Sequence, residues 1–407
     1  MKSKPSIKNV TCRLYPTKEQ EEFLALCCTG TRSVYNYYLG KVKDKKCKIS
    51  TKYFQSNLKW LKTRSKQKVK DYEVDFTFLQ KIPSISLQIA VQNLGKAFDN
   101  FYKKYNKDCG FPRFKTKGIS RESFAVSGEG KIRVVDSDNT EKVKYLNISK
   151  NVGNIKMKGS LSLLPVDISL VKRVTIYKDV DKWYASFTIN FKPIKLPKTG
   201  KVIGLDLGLV RFYTTSNGRY ELADEINPTL LLKRIKFYDK VLARIRRTYK
   251  RLHPRKKWIK SNRYLKIQAR KQKLWSYLTN KRQDFLHKQS KKLVEKYDVI
   301  IVEDLKIKKM MINEGDYKKD LNKKFAEHCL ADFVHKLDYK AEWLGKKLIK
   351  VDPSYTSQTC SKCVCISKHN RVTQSEFKCV DCGYKANADY NAARNILKIG
   401  SRHLHSM

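Results

Sequence analysis

Two pairs of cysteines near the carboxyl end constrain the fold more than any other feature of this sequence. Cys360 and Cys363 form one Cys-x-x-Cys pair, and Cys379 and Cys382 form a second pair after fifteen intervening residues. Each pair places two thiolates on one tight turn, and two such turns close a tetrahedron around Zn²⁺. We therefore predict one structural zinc ion with four sulfur ligands and no position open for a reacting water. Cys365 is left over and is expected to be free.

The sequence runs directly from the predicted zinc site into an isolated carboxylate. Asp389 follows Cys382 by seven residues and opens an alanine-rich, helix-like run, DYNAARNIL. A zinc ion with four cysteine ligands cannot be catalytic, because its coordination is complete. We expect zinc to hold together a short insertion that is too polar to fold by itself, and so to fix the position of Asp389.

Net charge limits the choice of partner. The chain has 88 Lys and Arg against 38 Asp and Glu, a formal net charge of +50. Such an excess repels itself in a compact state unless a polyanion neutralises it. Nucleic acid is the favoured polyanion, and an anionic membrane surface is the alternative. The sequence predicts no membrane span, because no stretch approaches the ~20 apolar residues that one requires.

The cysteine content and the first residues indicate the compartment. There are 11 cysteines, an odd number, and the opening MKSKPSIKNV lacks the apolar segment of a signal peptide. This combination predicts a reducing compartment, in which cysteines bind metal or lie in the core rather than form disulfides.

Hydrophobic periodicity divides the first half of the chain. Residues 14–115 are predicted to be helical, with apolar residues at three- and four-residue spacing after Pro83. In residues 116–199 the apolar residues instead recur with a period of two, and one hairpin is predicted through the KDVD turn. This pattern predicts an antiparallel barrel or sandwich. The segment NFKPIKLPKTGK then reads as a linker.

One polar group in the first predicted helix has two interpretations. The stretch LALCCTGTRSVYNYYLGK combines an apolar stripe with Arg32, Tyr35 and Asn36. These three residues fit a helix–helix contact with a solvated edge and fit a nucleic-acid contact equally well. Cys27 and Cys28 are predicted to be core thiols, because no second pair of ligands lies nearby in the sequence.

The second half of the chain begins a different pattern. A buried strand, VIGLDL, carries Asp206 and is followed by a hairpin that turns at Asn217-Gly218. Residues 231–297 are predicted to form long amphipathic helices broken near Pro254. They carry 24 Lys and Arg against 3 Asp and Glu, a ratio that favours an anion-binding surface over a solvated face.

Three carboxylates in this half are candidates for metal-dependent chemistry. Asp206 and Glu303 end buried strands, and Asp389 begins a helix. Each alone could cap a turn or a helix, and actin-like and sugar-kinase folds hold Mg²⁺ from a similar strand. In a β-hairpin, α, β, α, β, α order, however, the strand ends meet at one edge of a sheet. Three carboxylates there repel one another unless divalent cations lie between them.

Two divalent cations at such an edge indicate one type of reaction, the cleavage of a phosphodiester. Held about 4 Å apart, they activate a water and stabilise the leaving oxygen of a phosphodiester. Because the chain carries so much positive charge, the expected substrate is a nucleic-acid backbone.

Motifs along nearly the whole chain resemble the TnpB-type transposon-associated RNA-guided DNA nucleases, which are related to type V CRISPR effectors and Fanzor proteins. The matching stretches are YPTKEQEEFL, TRSVYNYYLG, FPRFKTKG, IGLDLG, IVEDL, SQTCSKC and DYNAARNIL. The resemblance implies RuvC-like catalytic residues at Asp206, Glu303 and Asp389, which would bind Mg²⁺ as two ions, and a zinc ribbon at the four paired cysteines. The resemblance assigns the catalytic role to Glu303 rather than to its neighbour Asp304. This glutamate is at the position usual for the family, which favours the prokaryotic branch over Fanzor.

The resemblance also implies a multidomain α+β fold. It predicts an RNase H-like (RuvC) α/β nuclease domain with an inserted zinc ribbon, and an N-terminal β-barrel (wedge) domain interrupted by a helical recognition segment. The expected boundaries are 1–13 for the first wedge strand, 14–115 for the recognition segment, 116–199 for the rest of the wedge barrel, 200–352 for the nuclease domain, 353–386 for the zinc ribbon, and 387–407 for the third nuclease motif and tail.

The function that this resemblance implies is RNA-guided DNA cleavage. The chain would bind a guide RNA encoded around its own gene, recognise a short motif beside a double-stranded DNA target, and cut both strands with one Mg²⁺-dependent site. The alternatives are a guide-RNA-dependent DNA-binding repressor or RNA-binding zinc-ribbon protein without cleavage, and a strand-joining transposase. A monomer in the cytoplasm is expected, or in the nucleus of a eukaryotic host.

Candidate nucleic-acid contacts come from two sources. Asn and Gln side chains can pair with base edges, and basic residues flank the predicted β region. The candidates are Arg32, Tyr35, Asn36, Gln88, Gln92, Arg113 and Lys115.

Overall fold

A computed structural model places the chain in two compact units, Met1–Lys192 and Pro193–Met407. The structure describes residues 6–44, 49–64, 67–69, 72–103, 109–118, 120–127, 132–136, 143–149, 152–165, 167–208, 210–223, 226–305 and 320–405. None of the helices in these ranges combines the length and the apolar character that crossing a membrane requires.

The first unit is built on one antiparallel sheet of seven strands. The strands are β1 (Ser6–Tyr15), β4 (Ser123–Ser127), β5 (Arg133–Asp136), β6 (Lys144–Asn147), β7 (Ile155–Gly159), β8 (Val171–Asp179) and β9 (Lys182–Phe191). Their order is β4-β8-β9-β1-β7-β6-β5, so β1 lies in the middle and β4 and β5 form the two edges. The hairpin predicted through KDVD is confirmed as β8 and β9. The predicted antiparallel pairing is confirmed, and the strands form a single sheet rather than a sandwich.

Helices of this unit share one core with the sheet. They are α1 (Lys18–Lys43), α2 (Thr51–Ser56), α3 (Leu58–Leu61) and α4 (Ser84–Tyr102). The predicted helical region also contains a short hairpin of β2 (Gln67–Val69) and β3 (Tyr72–Val74). Cys27 and Cys28 are buried in the core that α1 and α4 share with the sheet, which confirms them as core thiols. Strand β1 continues to Tyr15, so the first two residues of the predicted helical region are in the strand.

The second unit contains a five-stranded mixed sheet. Its strands are β10 (Val202–Leu207), β11 (Arg211–Thr215), β12 (Tyr220–Leu222), β13 (Val299–Glu303) and β14 (Lys347–Val351), in the order β12-β11-β10-β13-β14. The first three strands are antiparallel, whereas β13 and β14 run parallel to β10. The carboxyl ends of β10, β13 and β14 therefore lie at the same edge of the sheet.

The described residues of this unit include four α-helices. They are α5 (Thr229–Leu252), α6 (Asn262–Lys296), α7 (Asp320–Leu344) and α8 (Ala388–His405). The break predicted near Pro254 is confirmed, because α5 ends at Leu252 and α6 begins at Asn262. Phe285 of α6 and Phe333 of α7 pack against the sheet in one core.

A small ribbon separates β14 from α8. It contains the four paired cysteines and a two-stranded sheet of β15 (Glu376–Lys378) and β16 (Lys385–Asn387). Strand β16 runs directly into α8 at Ala388. The ribbon is therefore an insertion between the last strand of the main sheet and the last helix.

Two glycines allow α8 to lie directly on the sheet. A Cβ atom at Gly204 would be 2.4 Å from the carbonyl oxygen of Ala393 and 2.7 Å from the amide nitrogen of Leu397. A Cβ atom at Gly400 would be 2.4 Å from Cγ2 of Ile301. Side chains cannot be accommodated at such distances, so glycine at these positions sets how closely α8 approaches β10 and β13.

We expect Gly204→Ala to weaken the packing of α8. The clash involves backbone atoms that cannot rotate away, so the free energy of unfolding of the second unit should fall by about 1–3 kcal/mol. Hydrogen exchange of the α8 amides measures this effect. Gly110→Ala is the control, because no atom lies within 4 Å of its Cβ position. Unchanged protection of α8 in Gly204→Ala would show that the helix does not need this contact.

Candidate active site and cysteine cluster

Asp206 and Glu303 are neighbours at the carboxyl edge of the five-stranded sheet. The parallel register of β10 and β13 pairs Leu205 with Val302, so the next residues along the two strands, Asp206 and Glu303, lie side by side. Glu303 is in turn paired with Val351 on β14. Both carboxylate side chains are half-buried.

Asp389 is in the first turn of α8. The side-chain oxygen of Asn387 accepts hydrogen bonds from the backbone amides of Asp389 (3.2 Å) and Tyr390 (3.3 Å), and so caps the helix. The same oxygen accepts a hydrogen bond of 3.0 Å from the guanidinium of Arg211 on β11. The start of α8 is thus tied to the strand next to the one that carries Asp206.

One pocket contains all three carboxylates, and we call it the carboxylate pocket. Asp206, Glu303 and Asp389 line it together with residues from the ends of the strands, the ribbon and α8. Asp304, by contrast, is exposed and does not line the pocket. The other polar side chains of the lining are Arg211, Thr356, Ser357, Arg371, Gln374, Ser375 and Asn387.

The electrostatics of this pocket disfavour three free carboxylates. Burial, followed by the charges of Glu303 and Asp389, holds the pKa of Asp206 well above its ordinary value. Burial also raises the pKa of Glu303, while a hydrogen bond of 2.5 Å from the hydroxyl of Thr356 opposes that shift. Divalent cations would relieve this repulsion, and carboxylate oxygens are the ligands that Mg²⁺ prefers. The donor set therefore fits Mg²⁺.

Arg371 of the ribbon supplies positive charge to the pocket. Its guanidinium lowers the pKa of Asp206 against the larger opposing effects of burial and the other carboxylates. A hydrogen bond of 3.1 Å to the carbonyl oxygen of Gln374 holds the arginine at the pocket wall. Sequence reasoning missed this residue because Arg371 is one of many basic residues, and only the folded ribbon brings it beside Asp206.

Two asparagines of the NAARN stretch attach α8 to the first part of the ribbon. Asn391 accepts a hydrogen bond from the amide of Ser361 (2.9 Å) and donates one to the carbonyl oxygen of Thr359 (2.8 Å). Asn395 donates to the carbonyl oxygens of Thr356 (2.9 Å) and Thr359 (2.6 Å). Both asparagines are buried and hydrogen-bonded to backbone, so they position the helix.

The four paired cysteines form a cluster with the dimensions of a metal site. Their Sγ atoms all lie within 4.8 Å of one another. Cys360 and Cys382 are 3.7 Å apart at Sγ, and Cys363 and Cys379 are 3.4 Å apart. A tetrahedron with Zn–S bonds of ~2.3 Å has S···S edges of roughly 3.8 Å. The cluster therefore fits one zinc ion with complete sulfur coordination.

Backbone geometry shapes the two turns of the cluster. Val364 and Gly383 each follow the second cysteine of a pair, and each has a left-handed φ of 68°. Glycine adopts this conformation readily, whereas it is strained for the β-branched valine. The turn that carries Cys360 and Cys363 is therefore formed at a cost in backbone strain at Val364. A bound metal would offset that cost.

Asn370 joins the two turns in the ribbon interior. The side chain is fully buried. Its nitrogen donates to the carbonyl oxygens of Gln358 (2.9 Å) and Cys365 (3.1 Å), and its oxygen accepts from the amide of Val380 (2.9 Å). This structural asparagine, too, could not be identified from the sequence, because its partners are backbone atoms of the ribbon, which no residue type reveals.

Two of the seven candidate nucleic-acid contacts have a structural role instead. Asn36 is buried, and its amide group exchanges two hydrogen bonds of 2.8 Å with the backbone of Lys115. Tyr35 is also buried, with the ammonium of Lys115 at 4.2 Å from its ring centroid. Lys115 lies in the connection between α4 (which ends at Tyr102) and β4, so these contacts of Tyr35 and Asn36 are with a loop rather than with a second helix.

The other candidates remain accessible on the first unit. Gln88 and Arg113 are exposed, whereas Arg32 and Gln92 are half-buried. Lys115 is half-buried beside Tyr35. Arg32 contacts Thr29 of its own helix, with its guanidinium 3.4 Å from the hydroxyl oxygen.

Three segments of the chain match described protein families. Residues 184–314 match a family described as "Probable transposase" (OrfB_IS605), and residues 331–396 match "Cas12f1-like, TNB domain". Residues 6–45 match a family described as "Helix-turn-helix domain". In the structure, the described part of that last segment is instead strand β1 followed by the single long helix α1.

Similar sequences come from bacteria and a virus. "Putative RNA-guided DNA endonuclease InsQ" of Escherichia coli (strain K12) is 29% identical over 334 residues, which are 79% of this chain and 76% of that protein. "TnpB-like protein L770" of Acanthamoeba polyphaga mimivirus is 26% identical over 407 residues, 97% of this chain and 73% of that protein. "CRISPR-associated endodeoxyribonuclease Cas12f1" of Sulfoacidibacillus thermotolerans is 53% identical over 79 residues, 19% of each chain.

Solved structures share the fold at low sequence identity. The Cas12f1–sgRNA–target DNA complex has a chain that matches with a TM-score of 0.53 at 14% identity, covering 96% of this chain and 98% of that one. CasPhi-2 (Cas12j) bound to crRNA matches with a TM-score of 0.50 at 13% identity, covering 97% and 98%. The likeness extends over both units of the chain.

We expect metal analysis to find about one zinc ion per chain. Cys379→Ser should lose the zinc together with the fold of the ribbon, because binding and local folding are coupled. Cys365→Ser is the matched control and should retain the metal, since this thiol is outside the cluster. Well-folded protein that contains no zinc would contradict the assignment.

We expect Asp206→Asn to stabilise the protein when Mg²⁺ is absent. The folded pKa of Asp206 is raised above its ordinary value of 3.8, so the charged carboxylate costs stability. This cost is absent below the ordinary value and grows as the pH rises through the folded pKa. Thermal unfolding of zinc-loaded, Mg²⁺-free protein should show a gain for Asp206→Asn that increases with pH. The exposed Asp304→Asn is the control and should not show this gain. A gain for Asp206→Asn that is the same at every pH would disprove its electrostatic cause.

Proposed function

We propose, from the premise that the chain belongs to the TnpB-type family of IS605 transposon proteins, that it is an RNA-guided DNA endonuclease. The observation that carries the proposal is the carboxylate pocket, which brings Asp206, Glu303 and Asp389 together from three separate elements. Relatives named as RNA-guided DNA endonucleases and the likeness to guide-RNA complexes support the same function.

The three carboxylates would hold two Mg²⁺ ions, which would supply an activated water and stabilise the leaving oxygen of the phosphodiester. Asp206 and Glu303 are fixed on strands whose register is set by backbone hydrogen bonds. Thr356 orients Glu303 through its hydroxyl. Such fixed geometry is what positions a reacting phosphate against its nucleophile.

Arg371 would contact the phosphate that enters the pocket. A guanidinium binds phosphate oxygens with two parallel donors and stabilises the negative charge that develops during the reaction. Because Arg371 belongs to the ribbon, the zinc ion would support catalysis indirectly, by fixing this arginine and the start of α8.

The partners we propose are guide RNA and double-stranded DNA. The fold and the strand order support an RNase H-like (RuvC) nuclease domain from residue 200, with the ribbon inserted at 353–386, and a wedge domain around the recognition helices. Accessible Arg32, Gln88 and Arg113 remain candidates for contacts beside the target. The net charge of +50 is suited to two bound nucleic acids.

Two other functions are distinguished by their products. A guide-dependent repressor would bind the target and leave it intact, whereas the three carboxylates in one pocket favour cleavage. A strand-joining transposase would produce joined strands rather than free ends. Incubation of guide-loaded protein with supercoiled target plasmid and Mg²⁺ separates these outcomes on one gel.

We expect alanine at Asp206, Glu303 or Asp389 to abolish cleavage and to leave guide and target binding nearly intact. The ions act mainly in the transition state, when charge builds on the attacking and leaving oxygens. Cleavage should slow by at least ~10³-fold, about 4 kcal/mol of barrier. The plasmid assay with each variant measures this, with Ca²⁺ supporting binding without turnover.

Asp304→Ala is the matched control, because this carboxylate is next to Glu303 and lies outside the pocket. Its rate should stay within a few-fold of the parent. Substantial linearisation by Asp389→Ala would rule out the role of α8 in the site.

A further inference from the structure

Tyr355, beside the carboxylate pocket, combines a strained backbone with an exposed ring. Its φ is 62°, in the left-handed region that a residue with a Cβ atom adopts only at a cost. The residue is 62% exposed, so its ring adds little to the core. Within the described part of the chain, the ring has no aromatic or cationic partner and its hydroxyl has no hydrogen bond. Neither the fold nor the arrangement of the three carboxylates accounts for a tyrosine at this position.

The position of Tyr355 in the chain places it at the rim of the carboxylate pocket. It lies in the segment that connects β14 to the cysteine cluster, and its neighbours Pro353, Thr356 and Ser357 line the pocket. The hydroxyl of Thr356 donates the hydrogen bond that orients Glu303. Consecutive Cα atoms are about 3.8 Å apart, so the side chain of Tyr355 begins one residue from that contact. Tyr355 itself does not line the pocket.

Hydrogen bonds that do not involve the ring hold the strained turn in place. The carboxylate of Asp352 accepts hydrogen bonds from the amide (3.1 Å) and the hydroxyl (2.8 Å) of Ser354. The carbonyl oxygen of Tyr355 accepts from the amides of Gln358 (3.0 Å) and Thr359 (3.0 Å), and from the hydroxyl of Thr359 (2.8 Å). The turn therefore does not require a tyrosine, and an asparagine or a glycine would form it with less strain.

Backbone strain of this kind is typical of functional positions. Residues held in unfavourable conformations occur at active sites and ligand clamps, where the surrounding structure maintains them. Here one short turn carries both Thr356, which contacts Glu303, and the ring of Tyr355. A group bound by the ring and a phosphate bound by the carboxylates would therefore be held at a fixed distance from each other.

An exposed aromatic ring beside a phosphate-binding pocket is suited to a nucleobase. Bases stack on tyrosine whatever their identity, because every base has a π face. A base inside an intact duplex is already covered by its neighbours, so a side chain can stack only on an unpaired base or on one that leaves the duplex. Guide pairing separates the two strands of a DNA target and leaves one of them unpaired. That displaced strand offers free bases together with the phosphates that the pocket would cut.

We propose that Tyr355 stacks on an unpaired base next to the phosphate that is cut, and so holds the displaced DNA strand in the carboxylate pocket. Stacking fixes a flexible strand at one point, and the cut phosphate is then presented to the carboxylates in a defined position. The inference rests on the proposed nuclease function of the pocket. It extends that function by assigning a base contact to the strand that does not pair with the guide.

The test separates the effect of the ring from the effect of the strain. Tyr355→Asn removes the ring and introduces a residue that tolerates the left-handed conformation, whereas Tyr355→Phe keeps the ring. Val180 is the matched control position, because it has a left-handed φ of 56° in the turn between β8 and β9 of the first unit. For each variant, the melting temperature, the affinity for guide and target, and the single-turnover rate of cutting the displaced strand are measured.

We expect Tyr355→Asn to cut about tenfold more slowly than the parent, because one base stack is lost. Its melting temperature should be equal to or above that of the parent, because strain is relieved and little packing is lost. Tyr355→Phe should cut within about twofold of the parent, since its ring also stacks on a base. Val180→Asn should be as stable as the parent or more so, with unchanged cutting. Target affinity should change by less than about threefold in each variant, because guide pairing supplies most of it.

A target that lacks one base identifies the contact. Single abasic nucleotides are placed at successive positions on either side of the cut, in the strand that does not pair with the guide. At one position the missing base should slow the parent and Tyr355→Phe by about the same factor as the loss of the ring. It should not slow Tyr355→Asn any further, because the ring and the base form one contact.

Four results would overturn the inference. Equal cutting by the parent and Tyr355→Asn would show that the ring does not hold the strand. A lower melting temperature of Tyr355→Asn would show that the ring supports the fold instead. Abasic positions that affect the parent and Tyr355→Asn alike would show that no base contacts the ring. A loss of guide-RNA affinity in Tyr355→Asn would place the ring on RNA. If the parent cuts no matched target at all, the proposed function itself fails, whatever Tyr355 contacts.

Discussion

The direct contact between α8 and strand β10 is the constraint on which the carboxylate pocket depends. Asp206 is on the strand and Asp389 is on the helix, and the separation of the two carboxylates is set by how closely these elements approach. Gly204 and Gly400 remove the side chains that would hold them apart. A close contact between backbones tolerates little adjustment, so the geometry is fixed rather than adaptable.

The ribbon extends this constraint to the rest of the pocket. Its ends are β14 and α8, so a ribbon without fixed shape would leave Asp389 on a poorly held helix. Few apolar residues are available to form a core in the ribbon, with Phe377 and Ala388 buried beside the cysteines. A zinc ion at the cysteine cluster would replace the missing core, and Asn391 and Asn395 would transmit its order to α8 through their hydrogen bonds to backbone.

Charge acts in two opposite ways in this protein. The carboxylate pocket concentrates negative charge, and the raised pKa of Asp206 shows that the protein alone stabilises it poorly. Over the whole chain Lys and Arg outnumber Asp and Glu by 88 to 38, and residues 231–297 carry 24 Lys and Arg against 3 Asp and Glu. The two regions are complementary, since a nucleic acid brings phosphates to the cations and a divalent metal to the carboxylates.

Local sequence determined much of this architecture. The two Cys-x-x-Cys pairs predicted the four-sulfur cluster, because ligand spacing on tight turns is a local property. Apolar strands predicted β10 and β13, and their parallel order predicted that Asp206 and Glu303 would meet. Only the tertiary structure could show Arg371 beside Asp206 and Asn36 hydrogen-bonded to the backbone of Lys115. Those features depend on backbone partners and distances between residues far apart in the chain, which no residue pattern encodes.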